Sequence, residues 1–76
     1  MKNIYLVKDV ARLSGLSVYT VKYYLTLGLI NETGRSPETK FRYFDDSTIE
    51  QLKKIRAYRK QRISLRKIKE LISTQP

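Results

Sequence analysis

The chain predicts a mainly α fold of four helices, with a small β-hairpin between the second and the third. Three observations carry that expectation. Two short apolar-patterned segments, residues 7–13 and 18–27, are each followed closely by a glycine, Gly15 and Gly28. A polar stretch, residues 31–40, is broken by Gly34 and Pro37 and runs into Phe41-Arg42-Tyr43-Phe44. Beyond it, Ile49, Leu52, Ile55 and Tyr58, and then Leu65, Ile68, Leu71 and Ile72, recur at the spacing of one helix face. The 76 residues allow one small domain with a thin core, expected to occupy residues 1–76.

Each element has a local cause. In the first segment Val7, Val10, Ala11 and Leu13 are the apolar positions. Ser14-Gly15 breaks the pattern, and Gly15 supplies the positive φ that a tight turn between helices needs. Ser17 stands where an N-cap belongs, so its hydroxyl accepts from a free amide of the next turn. The second helix is expected over residues 18–27, stopped by Gly28. Two short helices joined in this way form a helix-turn-helix, residues 7–27, a unit that sets its second helix in the major groove of DNA. Leu29-Ile30 is expected to pair with the aromatic run as a two-stranded hairpin with a polar tip, a wing over residues 29–44. Asp45-Asp46-Ser47 offers N-caps for a third helix ending near Arg62, with Glu50 in its first turn. Ser64 caps a fourth, the two forming a helical pair over residues 46–72, and residues 73–76 read as a frayed end.

Charge narrows the function. The formal net charge is +9 and the isoelectric point about 10.0. So basic a small domain points to a polyanionic partner, chiefly nucleic acid. An anionic membrane surface competes, but it needs a free bulky apolar face, and this chain needs its apolar faces for a core. Cysteine and histidine are both absent, which removes disulfides, thiolate metal sites and an imidazole base. Asp45-Asp46 reads as helix capping rather than paired acid–base carboxylates. These absences disfavour an enzyme, and no metal, cofactor or small-molecule effector is expected. No apolar run approaches bilayer length, and a signal-peptide core is missing, so a cytoplasmic, nucleoid-associated protein is expected.

Taken in order, Tyr5, Val7, Val10-Ala11, Gly15-Leu16-Ser17, Thr20-Val21-Lys22-Tyr23-Tyr24 and Gly28-Leu29-Ile30 resemble the opening of the MerR family of bacterial transcription regulators. The resemblance continues through Phe41-Arg42-Tyr43-Phe44 and closes with Ile63-Ser64-Leu65-Arg66-Lys67-Ile68-Lys69-Glu70-Leu71, so it covers nearly the whole chain. It implies a winged helix-turn-helix with a second wing at the corner between the third and fourth helices. Three positions depart from the family pattern. Lys22 stands where arginine is usual, which keeps the charge but loses the bidentate fork. Lys40 stands where many members have glycine, which predicts a changed entry into the wing strand. Arg62 replaces the glycine usual between the third and fourth helices. Family members usually continue into a coiled-coil dimerisation helix and an effector domain; for the chain as given a monomer is expected, with dimerisation possible on DNA or through a missing C-terminal region.

The candidate DNA contacts follow. With Val18, Val21 and Leu25 facing inward, Tyr19, Thr20 and Lys22 present a phenol, a hydroxyl and a cation to phosphates or base edges. The alternative for each is an ordinary solvated helix face. Ser17, at the helix start, joins them. Tyr23 and Tyr24 point in different directions; the resemblance gives Tyr23 a backbone contact, and Tyr24 is the core candidate. If Phe41 and Tyr43 pack on the domain, Arg42 faces solvent and meets a phosphate, the alternative being a weak ion pair with Asp45 or Asp46. Tyr43 stands beside it as a further candidate, with Arg35 and Lys40 as weaker ones. Residues 53–69 hold Lys53, Lys54, Arg56, Arg59, Lys60, Arg62, Arg66, Lys67 and Lys69 with no acid among them. Like charges at helical spacing repel, and phosphate is the expected offset. Arg62 is the best placed, and Ser64 and Leu65 add backbone amides at a helix N-terminus.

The reading is sequence-specific binding of double-stranded DNA in transcription regulation, with the second helix in the major groove and the wings on phosphates. An excisionase-like architectural factor that bends DNA is the close alternative. A basic adaptor docking an acidic protein is the alternative of another class, and a gel shift on a panel of duplexes separates it.

Overall fold

The computed structural model describes residues 3–73. Its elements are α1 (Val7–Ser14), α2 (Val18–Leu27), β1 (Gly34–Arg35), β2 (Arg42–Tyr43), α3 (Asp46–Lys60) and α4 (Leu65–Ser73). The two strands pair antiparallel, Gly34 opposite Tyr43 and Arg35 opposite Arg42. Tyr5 adds an isolated bridge to Phe44, each amide donating to the other's carbonyl at 2.8 Å.

Each helix start has an assigned acceptor. Asp9 Oδ2 accepts from the Leu6 amide at 3.1 Å before α1. Ser17 Oγ accepts from the Thr20 amide at 3.0 Å, Asp45 Oδ1 from Ser47 at 3.0 Å, and Ser64 Oγ from Lys67 at 3.2 Å. These bonds satisfy amides that have no partner inside their helix.

Three helices end on one plan. Gly15 and Gly28 take left-handed φ of 75° and 78°, and Arg62 takes 62° in the same role after α3. In each case the next residue's amide reaches five residues back: Leu16 to Ala11, Leu29 to Tyr24, Ile63 to Tyr58. That residue is apolar and packs on the core, as a Schellman ending favours. The core is Val10, Ala11, Val21, Tyr24, Leu29, Ile30, Phe44, Leu52, Ile55 and Ile68. Ser14 is buried with its hydroxyl donating to the Val10 carbonyl at 2.7 Å.

Several expectations are corrected. Leu29 and Ile30 are not a strand; both are buried in the core, and the first wing strand is Gly34–Arg35, inside the stretch expected to be loop. Burial of two successive apolar residues outweighs an alternating strand that would expose one of them. Leu13 is exposed, because α1 turns Val10, Ala11 and Ser14 inward and Leu13 lies off that face. Val18, the first residue of α2, is 37% exposed rather than inward. Lys40 has φ 64°, a backbone region that suits glycine. Helix α4 runs through Ser73, one residue into the expected frayed end, and residues 74–76 lie outside the described part.

Candidate nucleic-acid interface

Helix α2 carries the exposed side chains expected of it. Tyr19 is 79% exposed, Lys22 and Tyr23 are exposed, and Val21 and Tyr24 are buried beneath them. The Tyr23 and Tyr24 rings form a tilted pair at 40°, with centroids 6.3 Å apart. Ser17 and Thr20 are partly committed to the fold. The Ser17 hydroxyl caps the helix, and Thr20, half-buried, shares a hydrogen bond with it at 2.9 Å between oxygens.

Of the clefts along this helix, two open at Lys22 and at Tyr23. On one side Lys22 joins Leu6, Val7 and Lys8 at the start of α1 with Lys40, Phe41 and Arg42 of the hairpin, around a space of about 470 Å³. On the other, Tyr23 joins Leu27 and Leu29 with Leu65, Arg66 and Lys69 of α4, around about 310 Å³. Adjacent residues of α2 therefore open onto two separate cation-lined grooves. That follows from the roughly 100° turn per helical residue.

The hairpin differs from expectation in two ways. Phe41 is 63% exposed and does not pack on the domain. It falls in the turn after Lys40, outside β2, so strand alternation does not reach it. Arg42 is exposed as expected, but its ion pair is with Glu32 at 3.0 Å, not with Asp45 or Asp46. Glu32 also takes Arg35 at 2.8 Å. Tyr43 is half-buried and Lys40 exposed.

The basic run of residues 53–69 is partly employed inside the fold. Arg56 Nη1 donates to the Ser14 carbonyl at the end of α1, at 3.0 Å. Arg59 Nη1 donates to the Ile63 carbonyl at 3.1 Å, across the α3–α4 corner. Lys53 and Lys67 lie 4.0 and 3.6 Å from Glu50 and Glu70. Repulsion along the run is thus offset in part by carbonyls and by acids just outside it. Arg62 stands exposed at the corner, Ser64 caps α4 through its hydroxyl, and Leu65 is half-buried against the core.

Sequence reasoning missed Lys8, Phe41, Glu32 and Arg56. Lys8 and Val7 line one cleft although successive helix residues point about 100° apart, so helical periodicity gives no signal for Lys8. Glu32 and Arg56 act through contacts between distant elements, which no local spacing announces. Among the described residues no cluster of acidic side chains could hold a metal ion, and no helix is long and apolar enough to cross a membrane.

A helix-turn-helix followed by a β-hairpin and a second helical pair is a winged helix-turn-helix. The model of the MerR HTH family of regulatory proteins matches residues 5–75, and the chain belongs to that family. It is 34% identical over 71 residues to the HTH-type transcriptional regulator CueR of Bacillus subtilis (strain 168), covering 93% of this chain and 48% of that protein. It superposes with TM-score 0.83 and 27% identity on HiNmlR, a MerR family regulator lacking the sensor domain, solved bound to promoter DNA; 93% of this chain and 53% of that one are covered. A MerR family regulator from Bacillus cereus matches in fold with TM-score 0.88 at 18% identity, over 97% of this chain and 55% of that one. The chain spans about half the length of the relatives it matches.

Proposed function

We propose that this chain is the DNA-binding module of a bacterial transcription regulator, acting at the nucleoid in the cytoplasm. Helix α2 enters the major groove, and the hairpin and the α3–α4 corner hold phosphates on either side. The carrying observation is that the exposed face of α2, with Tyr19 uppermost, is flanked by cation-lined clefts at Lys22 and at Tyr23. A duplex presents this arrangement of surfaces, a groove between two phosphate rows. The likeness to HiNmlR, solved on promoter DNA, supports the same docking. Tyr19 and Lys22 read base edges or phosphates from the helix. Tyr23, Arg35, Lys40, Arg42, Tyr43 and Arg62 hold the backbone, and the amides at Ser64 and Leu65 add to the corner.

Fluorescence anisotropy with labelled duplex at a series of salt concentrations tests this. With about five to seven phosphates neutralised, log affinity falls against log salt with a slope of about −4.5 to −6.3. A slope near zero contradicts it.

A further inference from the structure

Arg35 and Arg42 are register partners, directly opposite across the hairpin. Like charges so placed destabilise a two-stranded ribbon. The half-buried carboxylate of Glu32 sits between them: Oε1 takes Arg35 Nε at 2.8 Å and Oε2 takes Arg42 Nε at 3.0 Å. Both contacts use Nε, one of the five N–H donors of a guanidinium, so each arginine is held at its inner edge. The same three residues line a cleft of about 350 Å³ with Leu25, Thr26, Ile30 and Asn31, beside the second half of α2.

As a stability device this cluster is weak. The side chains are 51%, 43% and 30% exposed, and exposed ion pairs contribute little. As an orienting device it is effective, because it fixes two long, flexible side chains side by side before any ligand arrives. We infer that Glu32 is a positioning residue for phosphate binding, holding Arg35 and Arg42 as a preformed pair of guanidinium forks for one backbone phosphate. This rests on the DNA-binding reading above and adds to it a residue of the wrong charge for DNA.

The sign of the effect is the test. A carboxylate near phosphate weakens binding by repulsion, so neutralising an ordinary acid on this surface tightens it. Glu38, exposed at the hairpin tip, is the reference, and Glu38→Gln leaves random-duplex affinity equal or tighter. Glu32→Gln, in contrast, weakens it about three- to tenfold, the scale of leaving one or two long side chains to be ordered only on binding. In an Arg35→Ala/Arg42→Ala background, Glu32→Gln no longer weakens binding and tightens it instead. Thermal melts followed by circular dichroism accompany each variant. If Glu32→Gln tightens binding in the otherwise unaltered chain, or weakens it equally in the double-alanine background, the assignment is overturned while duplex binding stands. If the unaltered chain binds no duplex, the broader reading fails and this one with it.

Discussion

The helix-turn-helix half of the molecule and the hairpin–helix-pair half solve the same backbone problem with different residues. Each contains two positions in the left-handed region. In the first half these are Gly15 and Gly28, with φ of 75° and 78°. In the second they are Lys40 and Arg62, with φ of 64° and 62°. A side chain there costs about 1–2 kcal/mol relative to the right-handed conformation, a penalty that glycine does not carry. The endings after α1, α2 and α3 share one hydrogen-bond plan, so the geometry of the turn does not explain the choice. Both non-glycine positions place a cation at an exposed corner, and both are among the proposed phosphate contacts. The first half has relaxed turns on either side of α2, and the second carries a strained backbone at two cations.

The largest effect is expected where relaxation is removed from the first half. Gly15→Ala meets an unfavourable φ, and a Cβ there lies 2.7 Å from Arg56 Nη1, the flexible end of a side chain that has to move aside. Arg56 must then leave the Ser14 carbonyl, where a cation suits the end of α1. A loss of about 1–3 kcal/mol is expected from urea titration. The loss shrinks in an Arg56→Ala background, where the blocking group is gone. Equal losses in both backgrounds would show that Arg56 plays no part.

Lys40→Gly and Arg62→Gly sharpen the comparison from the other side. Relief of strain, about 1–2 kcal/mol, is opposed by about 0.4–1 kcal/mol from a looser unfolded chain. Each variant is therefore expected to gain roughly 0.5 kcal/mol and a few degrees in melting temperature. Each also loses about 0.9 from the magnitude of the salt slope if it gives up one phosphate. Greater stability with an unchanged slope would separate the strain from DNA binding.

A smaller effect lies where the two halves are tied together. The Tyr5 hydroxyl donates to Asp46 Oδ1 at 2.7 Å, and this bond holds its phenol above the ordinary value of 10.0. The protonated form is the one favoured by folding. The stabilisation is therefore complete below pH 10 and is lost as pH rises through the raised folded value. Tyr5→Phe flattens that alkaline loss in melts followed by circular dichroism. An unchanged alkaline profile in the variant would assign the loss to other groups.

Legibility in the sequence also divides between the halves. The helix boundaries of the helix-turn-helix are readable because their signals are local: Gly15 and Gly28 end helices and Ser17 begins one, while the facing of Leu13 and Val18 is not. Nor is the hairpin. Its strands are two residues each, too short for alternation to register, and Leu29-Ile30 imitates a strand while belonging to the core. The partner of Arg42 was missed because Glu32 lies on the opposite side of the turn, where pairing depends on a register unknown until the chain folds. The left-handed backbone at Lys40 and Arg62 is invisible to propensity, which predicts glycine there; only the resemblance flagged those positions.

The central claim is a division of labour, with α2 reading sequence and the hairpin holding phosphate. It is tested most directly by measuring Tyr19→Ala and Arg42→Ala on two duplexes at one salt concentration, one enriched from a random pool by the unaltered chain and one random. Tyr19→Ala is expected to lose about 1–3 kcal/mol of preference for the enriched duplex. Arg42→Ala is expected to weaken both duplexes alike. A loss of preference with Arg42→Ala, together with an equal loss of affinity on both duplexes with Tyr19→Ala, would contradict it.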